Sequence, residues 1–95
     1  MIHVLGKVSI EDLDKFVGVF STRGAEVRGQ HGNQGTQLFR VAEEDGKVVV
    51  LFEWESREAF EGFSNDPQVR ETMRSSGTLG PPEFTFLEKV GEFPS

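Results

Sequence analysis

The sequence predicts an α+β domain in which helices cover one face of a four-stranded antiparallel sheet. In four segments apolar and polar residues alternate, as in strands, and in two others apolar residues recur every three or four positions, as in helices. These segments follow one another in the order β-α-β-β-α-β. With 95 residues, a hydrophobic fraction of 36% and nine phenylalanines, the chain is expected to form a single domain over residues 1–95 around one core.

The first third of the chain contains the first strand and the first helix. Alternation over residues 2–8 indicates the strand. Ser9 follows as the expected N-cap of a long helix, because an apolar stripe runs from Leu13 to Val27 at helical spacing. We expect this helix to end near Gly29, before a glycine-rich loop.

Strands two and three are predicted to form a hairpin. Residues 36–43 and 47–55 flank Asp45-Gly46, a dipeptide typical of two-residue hairpin turns. A two-residue turn at this point pairs Phe39 with Phe52 and directs both side chains towards the core. Turn chemistry and side-chain alternation agree on this register.

The second helical region and the last strand complete the order. Ser56 is the expected N-cap, and the region is expected to break at residues 64–65 and to restart at Asp66-Pro67. The last strand is predicted over residues 83–90, after a proline-rich linker. This order of elements is that of the ferredoxin-like fold, in which right-handed crossovers place strands one and three in the centre of the sheet.

One face of the predicted sheet, here called the outer face, turns away from the helices. Its residues are of mixed polarity, and many of them are apolar. They are His3, Leu5, Lys7, Leu38, Arg40, Val49, Leu51, Glu53, Thr85, Leu87 and Lys89. Because so apolar a surface is costly to leave in water, two copies of the chain are expected to pack through it as a homodimer.

Composition argues against several kinds of function. The absence of cysteine rules out disulfides, Cys-ligated zinc and a thiol nucleophile, and two lone histidines offer no spacing for a metal site. A net charge of −6 argues against a nucleic-acid partner. No segment is apolar for long enough to span a membrane, and the N-terminus lacks the pattern of a secretory signal, so a cytoplasmic protein is the default expectation.

His3 and Arg40 are the candidate catalytic residues. An imidazole exchanges protons near neutral pH, and Glu53 is expected close enough to orient the ring of His3. The planar guanidinium of Arg40 is suited to hold a carboxylate or an enolate oxygen. The alternative interpretation makes both residues structural, with His3 paired to a carboxylate at the dimer interface and Arg40 in a salt bridge with Glu53.

A pocket for a small aromatic ligand is expected over the outer face. Its predicted substrate-binding residues are Leu5, Lys7, Leu38, Leu51 and Glu53. Phe60 and Phe63 are added as parts of a lid, where the broken second helix meets the loop of residues 77–82. His31 lies in the glycine-rich loop and is expected in a solvent-exposed turn rather than in a binding site.

Three segments together carry a family resemblance. They are Gln37-Leu38-Phe39-Arg40, the strand from Val48 to Trp54, and the stretch from Asp66-Pro67 through Met73 to Glu88. The chain resembles small relatives of the antibiotic-biosynthesis monooxygenases. That resemblance implies a dimeric α+β barrel, in which two ferredoxin-like units pack sheet against sheet, with a small-molecule pocket between each sheet and its helices or loops. Activities in the superfamily range from cofactor-free oxygenation and haem degradation to lactone isomerisation and aldol cyclisation, and fold analogy does not choose among them.

Departures from the family patterns leave no catalytic set to carry over. The haem-degrading branch relies on an Asn, a Trp and a helical His, but residues 56–76 contain no His. The quinone-forming monooxygenases use a Tyr, and this chain has none.

Two interpretations of the function follow. The leading one is a small-molecule-binding protein or a cofactor-independent, monooxygenase-like enzyme that acts on an aromatic or polyketide-like substrate. The alternative is a non-catalytic oligomerising or ligand-sensing module of the same fold. A cyclase-like or isomerase-like reaction also stays open at this point.

Overall fold

The computed structural model describes all 95 residues and contains eight elements. They are β1 (Ile2–Ile10), α1 (Leu13–Phe20), α2 (Arg23–Gln30), β2 (Asn33–Arg40), β3 (Lys47–Trp54), α3 (Arg57–Ser64), α4 (Pro67–Ser75) and β4 (Thr78–Leu87). The strands form one antiparallel sheet in the order β2-β3-β1-β4, with β1 and β3 in the centre. The predicted ferredoxin-like α+β fold is confirmed. None of the helices is long and apolar enough to cross a membrane.

The core lies between the sheet and the helices. Alternate residues of β3, namely Val48, Val50, Phe52 and Trp54, are buried, and the residues between them are half-buried. Helices α2, α3 and α4 contribute to the main cluster, while α1 packs on a smaller cluster through Phe16. The alternation in the sequence of β3 therefore separates a buried helix-side face from the outer face, as predicted.

The prediction of one long first helix from the apolar stripe is wrong, because the chain forms two helices there. It breaks at Ser21 and Thr22, between α1 and α2. The Thr22 hydroxyl donates to the carbonyl of Gly18 at 2.8 Å. Side-chain bonds of this kind compete with the helical hydrogen-bond ladder, and an apolar stripe alone does not reveal them.

The predicted N-cap of the first helix is also wrong. Ser9 belongs to β1, where it pairs with Lys47 of β3. Asp12 is the N-cap instead, and its carboxylate accepts the backbone N–H of Lys15 at 2.9 Å. Pairing in the sheet therefore extends β1 beyond the end predicted from alternation.

The predicted break in the second helical region is confirmed. Ser56 caps α3 and accepts the backbone N–H of Ala59 at 3.1 Å. Asp66 caps α4 and accepts the backbone N–H of Gln68 at 2.9 Å, with Pro67 in the first helical position. Both caps were recognisable in the sequence because capping depends on residues within one turn.

The predicted register of the β2–β3 hairpin is wrong. Leu38 pairs with Val50 and Phe39 pairs with Val49, so Phe39 does not pair with Phe52. Since the shift is three residues, an odd number, β2 turns its other face to the core. Leu38 packs against the core, and Phe39 is 51% exposed on the outer face.

A longer connection is the reason for the altered register. Residues 41–46 form the loop between β2 and β3, and Asp45-Gly46 lies at its end rather than forming a two-residue turn. Glu43 and Gly46 adopt positive φ angles of 64° and 81°. The Gly46 carbonyl accepts the backbone N–H of Ile10 at 2.8 Å, so this end of the loop is bound to β1.

The boundaries of β4 differ from the prediction at both ends. Residues 80–82, predicted as a linker, lie inside the strand, which begins where Thr78 pairs with Ile10. The register then shifts, because residues 80–82 of β4 lie opposite the single residue of β1 between Lys7 and Ser9. Because β4 ends at Leu87, Lys89 lies beyond the sheet and not on the outer face.

Candidate functional site

The outer face holds the predicted catalytic residue His3. Strand pairing sets His3 beside Glu53 and Leu5 beside Leu51. The Nε2 atom of His3 lies 3.1 Å from Oε1 of Glu53, and the two side chains are 20% and 43% exposed. The expected contact between imidazole and carboxylate is therefore present. Such a contact orients the ring both in a binding site and in a sealed interface.

Two of the residues predicted around His3, Leu38 and Arg40, do not share the outer face with it. Leu38 packs against the core, and Arg40 lies on the helix side at the end of β2, across from a buried residue of β3. The salt bridge predicted between Arg40 and Glu53 is absent, since the ion-pair partner of Glu53 is His3. Lys7 lines a separate depression of about 420 Å³ beside the β2–β3 loop. The reversed register of β2 is the reason that His3 and Arg40 do not share a face.

A cavity of about 470 Å³ lies on the opposite side of the sheet, between the helix-side face and α1, α2 and α4. Its wall is mostly apolar and includes five aromatic rings, those of Phe16, Phe20, Phe52, Phe63 and Phe84. The two prolines of β4, Pro81 and Pro82, also border it. This volume and lining are typical of a pocket for a small organic molecule.

The polar groups of the cavity wall are of two kinds. The hydroxyl of Thr72 donates to the carbonyl of Gln68 at 2.7 Å, and that of Ser76 donates to the carbonyl of Met73 at 2.7 Å. These hydroxyls therefore already have partners within the protein. The charged residues of the wall are all basic, and they are Arg28, Arg70 and Arg74.

Arg28 is the most enclosed of the three arginines, half-buried where the other two are exposed. Its guanidinium carbon lies 4.1 Å from the centre of the Phe20 ring. Gly24, one turn earlier on α2, leaves room for it, because a Cβ at that position would approach Nη1 of Arg28 to 3.0 Å. Partial burial lowers the pKa of Arg28 from its ordinary value, since the loss of water disfavours the charged form.

The two phenylalanines predicted as a lid belong to the core. Phe63 is 8% exposed and lines the cavity on the helix side of the sheet. Phe60 lies outside the cavity wall and packs edge-on against Phe84 and Phe86, with ring centres 5.0 and 5.5 Å apart. Neither ring lies over the outer face, where the pocket was predicted.

His31 lies in a turn, as predicted, but its side chain is half-buried rather than solvent-exposed. Its Nε2 atom lies 2.8 Å from Oδ2 of Asp66, and the contact joins the end of α2 to the start of α4. The hydrogen bond from His31 and then the backbone N–H of Gln68 lower the pKa of Asp66. This pair holds two helices that border the cavity.

The arginines of the cavity are absent from the predicted site. Arg70 and Arg74 are four residues apart, which places them on one face of a helix, and this spacing is their one local signal. Arg28 lies on another helix, and only tertiary packing brings it to the same cavity. No group of three or more His, Asp or Glu side chains is placed to hold a metal ion.

These observations define a small α+β protein with a ligand-sized cavity between its sheet and its helices, and solved structures share its fold. SnoaB, a cofactor-independent oxygenase from Streptomyces nogalater, superposes with a TM-score of 0.77 at 16% identity, over 99% of this chain and 97% of its own. An uncharacterized NIPSNAP domain protein from Burkholderia xenovorans gives a TM-score of 0.66 at 17% identity, over 100% of both chains. Rv0793 from Mycobacterium tuberculosis gives a TM-score of 0.67 at 18% identity, over 96% of both chains.

The family itself is shown by the sequence of residues 1–75, which match the family model "Antibiotic biosynthesis monooxygenase". The chain belongs to this family. No curated protein sequence matches it. The resemblance drawn from the sequence is thereby confirmed, and the solved structures, at these low identities, add the shared fold.

Proposed function

We propose that the protein binds an aromatic, polyketide-like compound in the cavity between the sheet and the helices and acts on it as a cofactor-independent oxygenase. The observation that carries the proposal is the cavity itself, about 470 Å³ in volume and walled by five aromatic rings. Membership of the antibiotic biosynthesis monooxygenase family supports the same chemistry. The shared fold with SnoaB, a cofactor-independent oxygenase, also supports it.

Oxygenation without a cofactor requires a substrate that supplies its own electrons. An anthrone has a CH₂ group between two aryl rings, and loss of one proton leaves a carbanion that the rings delocalise. The carbanion reduces O₂, and overall one O₂ converts the CH₂ group into a carbonyl and releases one water. A mostly apolar, aromatic cavity suits such a reaction because it holds the flat rings of the substrate against apolar side chains.

The roles predicted for His3 and Arg40 stay predictions. The cavity wall includes neither residue, and Leu5, Lys7, Leu51 and Glu53 are likewise outside it. A ligand in the cavity is therefore expected to bind independently of the His3–Glu53 pair.

Anthrone is the probe that tests the proposed function. We expect it to raise the melting temperature of the protein by mass action, and we expect O₂ uptake and anthraquinone formation above the rate in buffer. Met73→Trp enlarges a half-buried side chain of the cavity wall and is expected to reduce both effects. Val17→Trp, on the exposed side of α1, is the matched control and is expected to retain them.

The possible results separate the two interpretations of the function. Binding of anthrone without O₂ uptake supports a ligand-sensing module and contradicts the oxygenase. Absence of binding, with O₂ uptake equal to that in buffer, contradicts the whole proposal.

We also propose that two copies of the chain form a homodimer through the outer face. Phe39 and Leu87 are 51% and 36% exposed on this face, and Leu5 and Leu51 lie half-buried at its centre. The corrected register supports the proposal, since it exchanges Leu38 for the larger Phe39 on this surface. A twofold axis lets the same apolar patch cover itself, which is the commonest solution among oligomers.

A further inference from the structure

We infer that the ligand of the cavity is an aromatic carboxylic acid whose carboxylate binds Arg28. This inference rests on the proposed function. A neutral compound of the same shape offers this arginine no negative charge, so the cavity is expected to select the acid.

The charge of the cavity wall is opposite to that of the chain. The protein has a net charge of −6, yet Arg28, Arg70 and Arg74 are the charged residues of the wall. None of the five ion pairs of the structure includes any of them. A half-buried cation with no anionic partner keeps part of its desolvation cost uncompensated, and an anionic ligand supplies the missing partner.

The geometry of Arg28 favours a carboxylate. Its guanidinium lies over the Phe20 ring at 4.1 Å, so one face is covered by the ring and the N–H groups along the edge are left for a ligand. A carboxylate accepts two parallel N–H bonds from such an edge. A phosphate also accepts such bonds, but it carries more oxygens to satisfy, and the hydroxyls of Thr72 and Ser76 in the same wall already donate to backbone carbonyls.

Arg70 and Arg74 add a second effect at the border of the cavity. Both are exposed on α4, four residues apart, and both contribute to the wall. Exposed charges of one sign attract the oppositely charged ligand and raise its local concentration. They add less to its affinity once it is bound. We therefore assign binding to Arg28 and attraction to the other two.

Two probes of one shape test the inference. Anthraquinone-2-carboxylate and anthraquinone-2-carboxamide share a ring system and differ in charge. By calorimetric titration, the wild-type protein is expected to bind the carboxylate more tightly by about tenfold, the effect of a charge-assisted hydrogen bond. Arg28→Gln is expected to abolish this preference while the affinity for the carboxamide stays unchanged.

Arg57→Gln is the matched control. The Arg57 guanidinium also lies 4.1 Å from a phenylalanine ring, that of Phe86, but it is outside the cavity wall and pairs with Glu61. The preference for the carboxylate is expected to survive in this variant. Arg28→Lys, which keeps the charge without the planar fork, is expected to retain only part of the preference, and circular dichroism reports whether each variant is folded.

Each result has a distinct meaning. Equal affinity of the wild-type protein for the two probes overturns the inference and leaves the proposed function standing. A preference that persists in folded Arg28→Gln overturns the assignment to Arg28. Binding of neither probe contradicts the proposed cavity, and the acid inference with it.

Discussion

Asp66 and His31 are 35 residues apart in the chain and form one contact at 2.8 Å. Asp66 caps α4, and His31 lies at the end of α2, so the contact ties together two helices beside the cavity. The hydrogen bond donated by His31 favours the carboxylate over the carboxylic acid and so lowers the pKa of Asp66. This interaction therefore stabilises the folded state more when Asp66 is ionised than when it is protonated.

Low pH is expected to remove the contribution of the Asp66 carboxylate to the free energy of unfolding. Because the pKa of Asp66 is lowered in the folded state, its stabilisation is complete above the ordinary carboxyl pKa of about 4. It is lost as the pH falls through the lowered value. Asp66→Asn should therefore reduce the free energy of unfolding at neutral pH, and the difference from the wild type should shrink below about pH 4. Urea unfolding over a series of pH values measures this difference in the free energy of unfolding.

Asp12→Asn is the control for this experiment. Asp12 also caps a helix and accepts one backbone N–H, at 2.9 Å, but its side chain has no contact with a histidine. If both variants converge with the wild type to the same extent in acid, the His31 contact has no particular effect and the explanation given for Asp66 is wrong.

At the scale of elements, β4 packs on β1 through a close approach of Phe84 to Gly6. The two residues pair across the strands, and a Cβ at Gly6 would lie 3.0 Å from Cε1 of Phe84. The Phe84 ring in turn packs edge-on against Phe60 of α3, with ring centres 5.0 Å apart, and borders the cavity. The missing side chain of Gly6 thus allows a contact that connects sheet, helix and cavity.

Gly6→Ala is expected to destabilise the protein. The added methyl group displaces the Phe84 ring, and overpacking of this kind costs about 1–3 kcal/mol. Gly35→Ala is the matched control in another strand, because a Cβ there meets its nearest atom, Oε2 of Glu53, at an ordinary 3.4 Å. We expect the control to change the free energy of unfolding by less than about 0.5 kcal/mol. Equal effects of the two substitutions in urea unfolding would show that the Phe84 contact is unimportant.

At the scale of the whole molecule, the two faces of the sheet differ in what covers them. Four helices and the core cover one face, while the outer face presents Phe39 and Leu87 to solvent in the single chain. A homodimer through this face places the cavities on the outside of the pair, one behind each sheet. The proposed ligand sites and the proposed interface therefore occupy opposite sides of each sheet.

Leu51→Lys tests the homodimer. Leu51 lies beside Leu5 at the centre of the outer face, and a closed interface would remove water from a charge placed there, which is costly. We expect the wild type to sediment near twice the chain mass of 10.6 kDa, and the variant near 10.6 kDa with an unchanged circular dichroism spectrum. Val17→Lys, on the exposed side of α1, should leave the mass of the wild type unaltered. A wild-type mass near 10.6 kDa rules out the dimer.

Most of the fold was predictable because its signals are local. The alternation in β1 and β3, the caps at Ser56 and Asp66, and the break before Pro67 each depend on residues within a few positions. The break between α1 and α2 escaped prediction because the apolar stripe continues through it, although Thr22 leaves the helical conformation there and its hydroxyl donates to the Gly18 carbonyl.

The sequence by itself determined the order of the strands along the chain, their order in the sheet and the apolar side of β1 and β3. Side-chain alternation acts over short distances, and the right-handed crossover rule fixes which strands lie in the centre. Only the tertiary structure decided the face of β2 and which residues share the wall of the cavity. The face of β2 depends on the loop of residues 41–46, whose end is held by β1 through the Ile10–Gly46 hydrogen bond. The cavity joins Arg28 on α2 to Arg70 on α4. Such residues share a wall because helices far apart in the chain pack side by side, and no local pattern records that packing.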